Sequence, residues 1–354
     1  MPSTLAPIAI EGLPPKPVSR LAPTPNGFLH LGNAVNFLVT WALVRRLDGV
    51  LYLRIDDMDG ARFRKDALED IFESLKWLGL DWDLGPEGPD DFTPHYSLRA
   101  RKAYYWQQLI RFGRDNKKTY ACTCSRKEIR AMSTDGIYPG TCRESGHAFV
   151  PGKTAVRLRV DNPSSVRVNG QDIVLSTVFG DFVLWRKDDQ PSYQLASLLE
   201  DEKAGTSLIV RGQDLLVSTA AQRYMADLFG WSSFPACKTI HHDLVLDRDG
   251  MKLSKSRGSY ALKDIRESGK GPEAAFRAAA KVLGLPGNEI STARDLLEKK
   301  LASETTTSIE TAAVPEGYRM PELVASSPDL YEPEGRFLLG SVNVDGGWED
   351  GKFW

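Results

Sequence analysis

Residues 18–55 read as strand, turn, helix and strand, and that order limits the fold more than any other part of the chain. Residues 18–22 form a short apolar run suited to a buried strand. Pro23-Thr24-Pro25-Asn26-Gly27 follows, and two prolines with an Asn-Gly pair cannot continue a helix. A helix is expected to open near His30-Leu31-Gly32 and to end at about Leu47, and 50–55 reads as a second strand. Two strands joined through a helix lie parallel, so the unit starts a parallel sheet faced by helices and the fold class is α/β.

The pattern continues beyond this unit. Leu68, Ile71, Phe72, Leu75 and Leu78 recur at three- and four-residue spacing, which predicts a helix over 66–78 stopped by Gly79. A further helix is expected over 98–112. Residues 119–148 break the pattern with Cys, Gly, Pro and Tyr and read as an insertion. Strands are expected at 156–160, 166–168, 182–185, 207–210 and 242–246. Helices are expected from Tyr193, over 219–229 and over 272–301. Residues 304–315 are rich in Thr, Ser and Ala, which suits a linker, and the stretch to Trp354 is acidic. No internal repeat is present.

The chain has 354 residues and a formal net charge of -2, so any affinity for nucleic acid must come from local basic runs. Arg99-Ala100-Arg101-Lys102 and the run 111–118 are such places, either as RNA contacts or as solvated helix faces. No apolar run is long enough to cross a bilayer, and the proline-rich start lacks the features of a secretory signal. The expected compartment is the cytoplasm. There, three cysteines in one short stretch point to metal before disulfide.

Two short signatures carry phosphate chemistry. In His30-Leu31-Gly32-Asn33 a strand-to-helix turn offers backbone N–H groups and the positive end of a helix to an anion. Gly32 would let a nucleotide approach the backbone, and His30 could donate to phosphate oxygens; the alternative is a helix start with a surface histidine. Lys252-Leu253-Ser254-Lys255-Ser256 lies between Asp249-Gly250 and Arg257-Gly258. It is a donor-rich loop suited to clamp the β- and γ-phosphates of ATP, or else a solvated basic loop. A third constellation is Cys122-Thr123-Cys124 with Tyr138 and Cys142. Three thiolates plus a phenolate (Tyr138) or an imidazole (His147) would complete a tetrahedral zinc shell; the alternative is free cysteines around an ordinary buried tyrosine. Cys237 lies far away and reads as a core cysteine.

Taken in order, residues 20–33, Arg54-Ile55-Asp56-Asp57-Met58-Asp59 with Arg62, Tyr193-Gln194-Leu195-Ala196, residues 210–216 and Lys252–Ser256 resemble class I aminoacyl-tRNA synthetases of the glutamyl branch over about residues 18–300. The resemblance implies a Rossmann-like doubly wound parallel sheet with a zinc-binding insertion and a C-terminal helical region. It divides the chain into a flexible start (1–17), two halves of a catalytic domain (18–118 and 186–260), a zinc-containing insertion (119–185), a helical region (261–302), and a linker with an acidic tail (303–354). Arg20, Leu21, Ala22, Pro23 and Thr24 would line a glutamate pocket. Asp56 would hold the substrate ammonium, Tyr193 would touch the substrate, and Arg211 would face the side-chain carboxylate. A planar guanidinium matches a carboxylate with two parallel hydrogen bonds, as a glutamine amide cannot. His30, Gly32, Asn33, Lys252, Ser254, Lys255 and Ser256 would bind ATP, with Mg²⁺.

The chain departs from the family pattern in places. Asp56 stands where Glu is usual, which shortens the reach to an ammonium and brings Asp57 into consideration. Asn33 stands where the first signature often has His. Leu21 replaces an aromatic and Thr24 a serine. The cysteine spacing, with Tyr138 included, resembles glutamyl-Q tRNA(Asp) synthetases, which implies Cys122, Cys124, Tyr138 and Cys142 as ligands of a structural zinc. About a hundred residues follow Ser256, too few for a large anticodon-binding region. The resemblance therefore implies a monomer that activates L-glutamate and transfers it to queuosine in tRNA(Asp). The rivals are a compact enzyme charging tRNA(Glu), a non-catalytic RNA- or protein-binding paralogue, and a small-molecule nucleotidyltransferase.

Overall fold

The computed structural model describes residues 12–133, 135–231, 233–243 and 261–299. The lysine signature at 252–256, most of the N-terminal stretch, and the linker and acidic tail from 303 lie outside the described residues. In chain order the first elements are β1 (Val18–Leu21), α1 (Leu31–Arg46), β2 (Val50–Leu53), α2 (Lys65–Trp77), α3 (Pro89–His95) and α4 (Lys102–Asn116). Then come β3 (Thr119–Cys122), α5 (Arg126–Met132), β4 (Ala155–Leu158), β5 (Ser165–Val168), β6 (Gln171–Val174), α6 (Leu175–Val178) and β7 (Val183–Trp185). The last are α7 (Tyr193–Lys203), β8 (Leu208–Gly212), α8 (Leu216–Leu228), α9 (Ser233–Ala236), β9 (Lys238–His242), α10 (Leu262–Glu267), α11 (Glu273–Leu283) and α12 (Asp295–Glu298).

Packing groups these elements into two units. The first holds the described residues up to Arg99, Ala204–Leu216 and those from Ala236 on; the second holds Ala100–Lys203 and Val217–Pro235. In the first unit β1 pairs with β2 and β8 with β9, both parallel. The Ser207 N–H donates to the Val18 carbonyl at 2.9 Å, and the Val18 N–H donates to Ser207 Oγ at 3.0 Å, which joins the starts of β1 and β8. This is the βαβ frame expected of an α/β fold. Helix α1 is buried on nearly every side, through Ala34, Val35, Phe37, Leu38, Trp41 and Val44 among others, as suits a helix packed against both β1 and α11 rather than lying on a wet surface.

The second unit is organised differently. A three-stranded antiparallel sheet, in the order β3-β4-β7, stands with a separate β5–β6 hairpin and helices α4 and α7. Trp106 meets Phe149 and Trp185, each with ring centroids 4.8 Å apart, and Phe112 stacks on Phe229 at 4.2 Å.

Two expectations need correction. The strand placed at 242–246 is β9, which ends at His242; its register against Leu208–Gly212 of β8 sets its position, and its Lys and His residues hid it from a search for apolar runs. The helix expected over 272–301 stops at Leu283, where Gly284 adopts a left-handed φ of 71° and caps it. No helix among the described residues is long and apolar enough to cross a membrane.

Candidate functional site

The turn after β1 is fixed by its own prolines. Proline has no N–H to give, but its carbonyl still accepts. Asp56 N–H donates to the Pro23 carbonyl and Arg64 N–H to the Pro25 carbonyl, each at 2.8 Å. Arg54 N–H reaches the Leu21 carbonyl, also at 2.8 Å. The segments leaving β1 and β2 thus stay paired beyond the strand ends. Leu21 itself is fully buried in the core, so its contribution to any pocket is its backbone; Ala22 and Thr24 are half-buried.

His30 is the N-cap of α1. Its Nδ1 accepts the Asn33 N–H at 3.4 Å, and the His30 N–H donates to Asn33 Oδ1 at 3.0 Å, a reciprocal capping box. An accepting Nδ1 assigns the ring proton to Nε2, which makes Nε2 the donor for an incoming oxygen. Asn33 is therefore committed locally, as the residue that closes the cap. Gly32 gives the same ring room: a Cβ there would sit 3.1 Å from both His30 Cε1 and Nδ1, so the ring would have to shift by a few tenths of an ångström. The Leu262 N–H donates to the Leu29 carbonyl at 2.8 Å, and His30 pairs with Ala261. At the end of β9, His242 Nε2 lies 3.2 Å from Asn36 Oδ1 of α1. The described residues on both sides of 244–260 therefore meet the first turns of α1. Burial lowers the His242 pKa and keeps the ring neutral, against the opposing pull of the Asp243 carbonyl.

Arg20, Arg54, Asp56 and Arg211 are all buried in the first unit, at or just past the carboxyl ends of parallel strands, the usual ligand side of such sheets. Arg54 grips Asp56 with two bonds, Nε to Oδ1 at 2.7 Å and Nη2 to Oδ2 at 3.3 Å. The sequence reading named Arg54 within its motif but gave it no role, although two residues apart on an extended segment share a face. Asp57 accepts from Ser97 Oγ at 2.5 Å and Leu98 N–H at 2.8 Å; burial raises its pKa even so. Arg211 sits opposite His241 in the β8–β9 register. Tyr193 opens α7 in the second unit, 36% exposed.

The cysteine cluster lies wholly in the second unit. Cys124 Sγ is 3.6 Å from Cys142 Sγ, and the three thiol sulfurs fall within 4.8 Å of one another. Tyr138 Oη is 3.4 Å from Cys122 Sγ and 3.8 Å from Cys124 Sγ. A tetrahedral ion with Zn–S bonds of about 2.3 Å has S···S edges of about 3.8 Å and S···O edges of about 3.5 Å, so the four donors fit zinc. Burial and the neighbouring thiols push the Tyr138 phenol pKa up, and the Cys142 N–H, donating to Tyr138 Oη at 2.8 Å, opposes them only in part. His147, the rival fourth ligand, does not join the donors gathered among the described residues. Burial resists ionisation of Cys142, but hydrogen bonds from Tyr138, Thr123 and Cys124 outweigh it and hold the thiol down to about 6. Burial pushes Cys124 up to about 11.

Comparison with known proteins now adds to this geometry. Residues 17–316 match the family model described as tRNA synthetases class I (E and Q), catalytic domain. The parallel frame with a capped turn at its strand ends is thus that of a class I synthetase. The chain belongs to this family of ligases, in the branch designated E and Q. It is 35% identical over 289 residues to the glutamyl-Q tRNA(Asp) synthetase of Symbiobacterium thermophilum, covering 75% of this chain and 86% of that protein. It is 39% identical over 249 residues to the protein of the same name from Pseudomonas aeruginosa PAO1, covering 69% and 79%. It is also 33% identical over 296 residues to the glutamate–tRNA ligase of an Anaeromyxobacter species, covering 80% of this chain but 61% of that one. A crystal structure of a glutamate tRNA ligase from Elizabethkingia meningosepticum superposes with a TM-score of 0.63 at 21% identity, over 80% of this chain and 64% of the other, and supports the fold.

Proposed function

We propose that the chain activates L-glutamate with ATP and transfers the glutamyl group to the queuosine base in the anticodon loop of tRNA(Asp). The observation that carries the first half is the set of buried charges Arg20, Arg54, Asp56 and Arg211 at the carboxyl ends of one parallel frame. Guanidinium groups held at the strand ends match carboxylates in geometry and charge, which suits a dicarboxylate substrate. The second half is supported by the two relatives named for that acceptor and by the Cys122, Cys124, Tyr138 and Cys142 donor set, which would hold a structural zinc.

In this reading the glutamate α-carboxylate oxygen attacks the α-phosphorus of ATP; a new P–O bond forms as the bond to pyrophosphate breaks. A queuosine hydroxyl then attacks the activated carbonyl and AMP leaves. Arg211 receives the side-chain carboxylate, while Arg20 to Thr24 and Tyr193 shape the pocket. The Arg54–Asp56 pair supplies a carboxylate edge to the substrate ammonium. His30 donates from Nε2 to phosphate oxygens beside Gly32, and Asn33 fixes the ring. Lys252, Ser254, Lys255 and Ser256 offset the charge building on pyrophosphate, with Mg²⁺ accompanying ATP. The protein works in the cytoplasm as a monomer.

The test is glutamate-dependent ATP–pyrophosphate exchange without tRNA, followed by transfer of labelled glutamate to tRNA(Asp) with and without queuosine. Exchange without RNA and transfer only to the modified tRNA are expected. Exchange that requires tRNA(Glu), or charging of its 3′ end, would instead favour the 33% identical glutamate–tRNA ligase as the guide. No exchange at all would leave a binding protein.

A further inference from the structure

Arg157 lies on β4 at 7% exposure, and its charge is unexplained by the fold around it. Its Nη1 donates to the backbone carbonyl of Asp181 at 2.7 Å. Its buried Nε has no hydrogen-bond partner, and no carboxylate among the described residues forms an ion pair with it. The nearby Asp181 carboxylate is already held by Arg143 through two bonds of 2.6 Å. The guanidinium carbon instead sits 3.9 Å from the centroid of the Tyr138 ring. A buried cation without a counter-ion is costly, and a chain retains one where an anion completes the site.

We propose that Arg157 is the counter-charge of the metal shell formed by Cys122, Cys124, Tyr138 and Cys142, and so the positioning residue that makes Tyr138 a ligand. The inference rests on the zinc reading above. Three thiolates and one phenolate around a dication carry a net charge of about −2. Arg157 lies against the one ligand whose ring can spread that charge toward a cation. Lys187 contributes from the edge, its Nζ donating at 2.5 Å to the Thr123 carbonyl between two of the cysteines. Burial of Arg157 is then unfavourable in the metal-free protein and favourable once the shell forms, so the residue couples the sheet to metal occupancy.

The test compares full-length protein with Arg157→Gln, which keeps a donor and loses the charge, and Arg157→Lys, which keeps the charge. Zinc affinity is read by competition with a chromophoric chelator, and unfolding is followed for the zinc-free and zinc-loaded forms. The Gln variant is expected to bind zinc about 10–100-fold more weakly, the range seen for outer-shell partners, and the Lys variant to recover most of that loss. Zinc-free Arg157→Gln should be at least as stable as zinc-free wild type, because a buried unpaired charge has been removed. A merely structural arginine would give the opposite: equal losses in both variants and a less stable zinc-free Gln protein. Either result, or unchanged zinc affinity in the Gln variant, overturns the proposal. Wild-type protein that binds no zinc overturns the metal reading as well, while glutamate-dependent exchange would survive it.

Discussion

Asp181→Asn is the most informative single change in the second unit. Asp181 is almost wholly buried, and its carboxylate takes four donors. These are Arg143 Nε and Nη2 at 2.6 Å each, Tyr120 Oη at 2.5 Å and Val160 N–H at 2.8 Å. An asparagine oxygen can keep the Val160 N–H and one arginine N–H. Its amide nitrogen would then face Arg143 Nε and the Tyr120 hydroxyl. The hydroxyl can turn and accept; the guanidinium cannot. Breaking a buried charge pair costs about 3–5 kcal/mol, and Arg143 is partly exposed, at 37%, so water recovers some of that. A loss of about 3 kcal/mol is expected, or roughly a hundredfold faster amide exchange through opening of the sheet. Hydrogen exchange read on peptides covering β3, β4 and β7 measures it, with β1 and β2 as internal control. Acceleration under about tenfold would refute the reasoning, as would equal acceleration in β1 and β2.

Three more outcomes follow from the same geometry. Gly32→Ala adds about 1 kcal/mol of helix propensity but presses on the His30 ring and its cap, worth about the same; the melting point should hardly move while ATP–pyrophosphate exchange falls at least about tenfold. His242 has a pKa lowered from 6.5, so the unfolded chain binds the proton first and stability is lost as pH falls below that value; His242→Gln should flatten the stability profile there in denaturant titrations. With zinc held as proposed by Cys122, Cys124, Tyr138 and Cys142, adding a chelator should lower the unfolding midpoint and speed exchange in β3 and around Cys142, with little change in β1 and β2.

Much of the first unit was readable because its signals are local. The turn prolines, the apolar spacing of α2 and the short strands around α1 each constrain a few neighbouring residues, and the observed ends fall close to those expected. Asn33 could also have been read, since a side-chain acceptor three residues after an N-cap marks a capping box. The second unit resisted for the opposite reason. Arg143, Arg157 and Asp181 meet only because β4 and the approach to β7 come together, and no spacing in the chain announces that. The packing of α4 with α7 is likewise a contact between distant segments. The three cysteines were visible as a group, yet the choice of Tyr138 over His147 on geometry needed distances.

The seam between β1 and β8 has a consequence for how the protein is made. Val18 and Ser207 bond across a separation of 189 residues. At about 5–20 residues per second, β1 leaves the ribosome roughly 10–40 s before its neighbour exists. During that interval β1, α1 and β2 can assemble as a local unit, but one edge of β1 has no partner strand. The segment between them carries a sheet whose strands pair with one another, so it can form while that edge waits. Chaperone dependence should accordingly track the rate of translation, with the first parallel pair as the part most exposed to wrong partners.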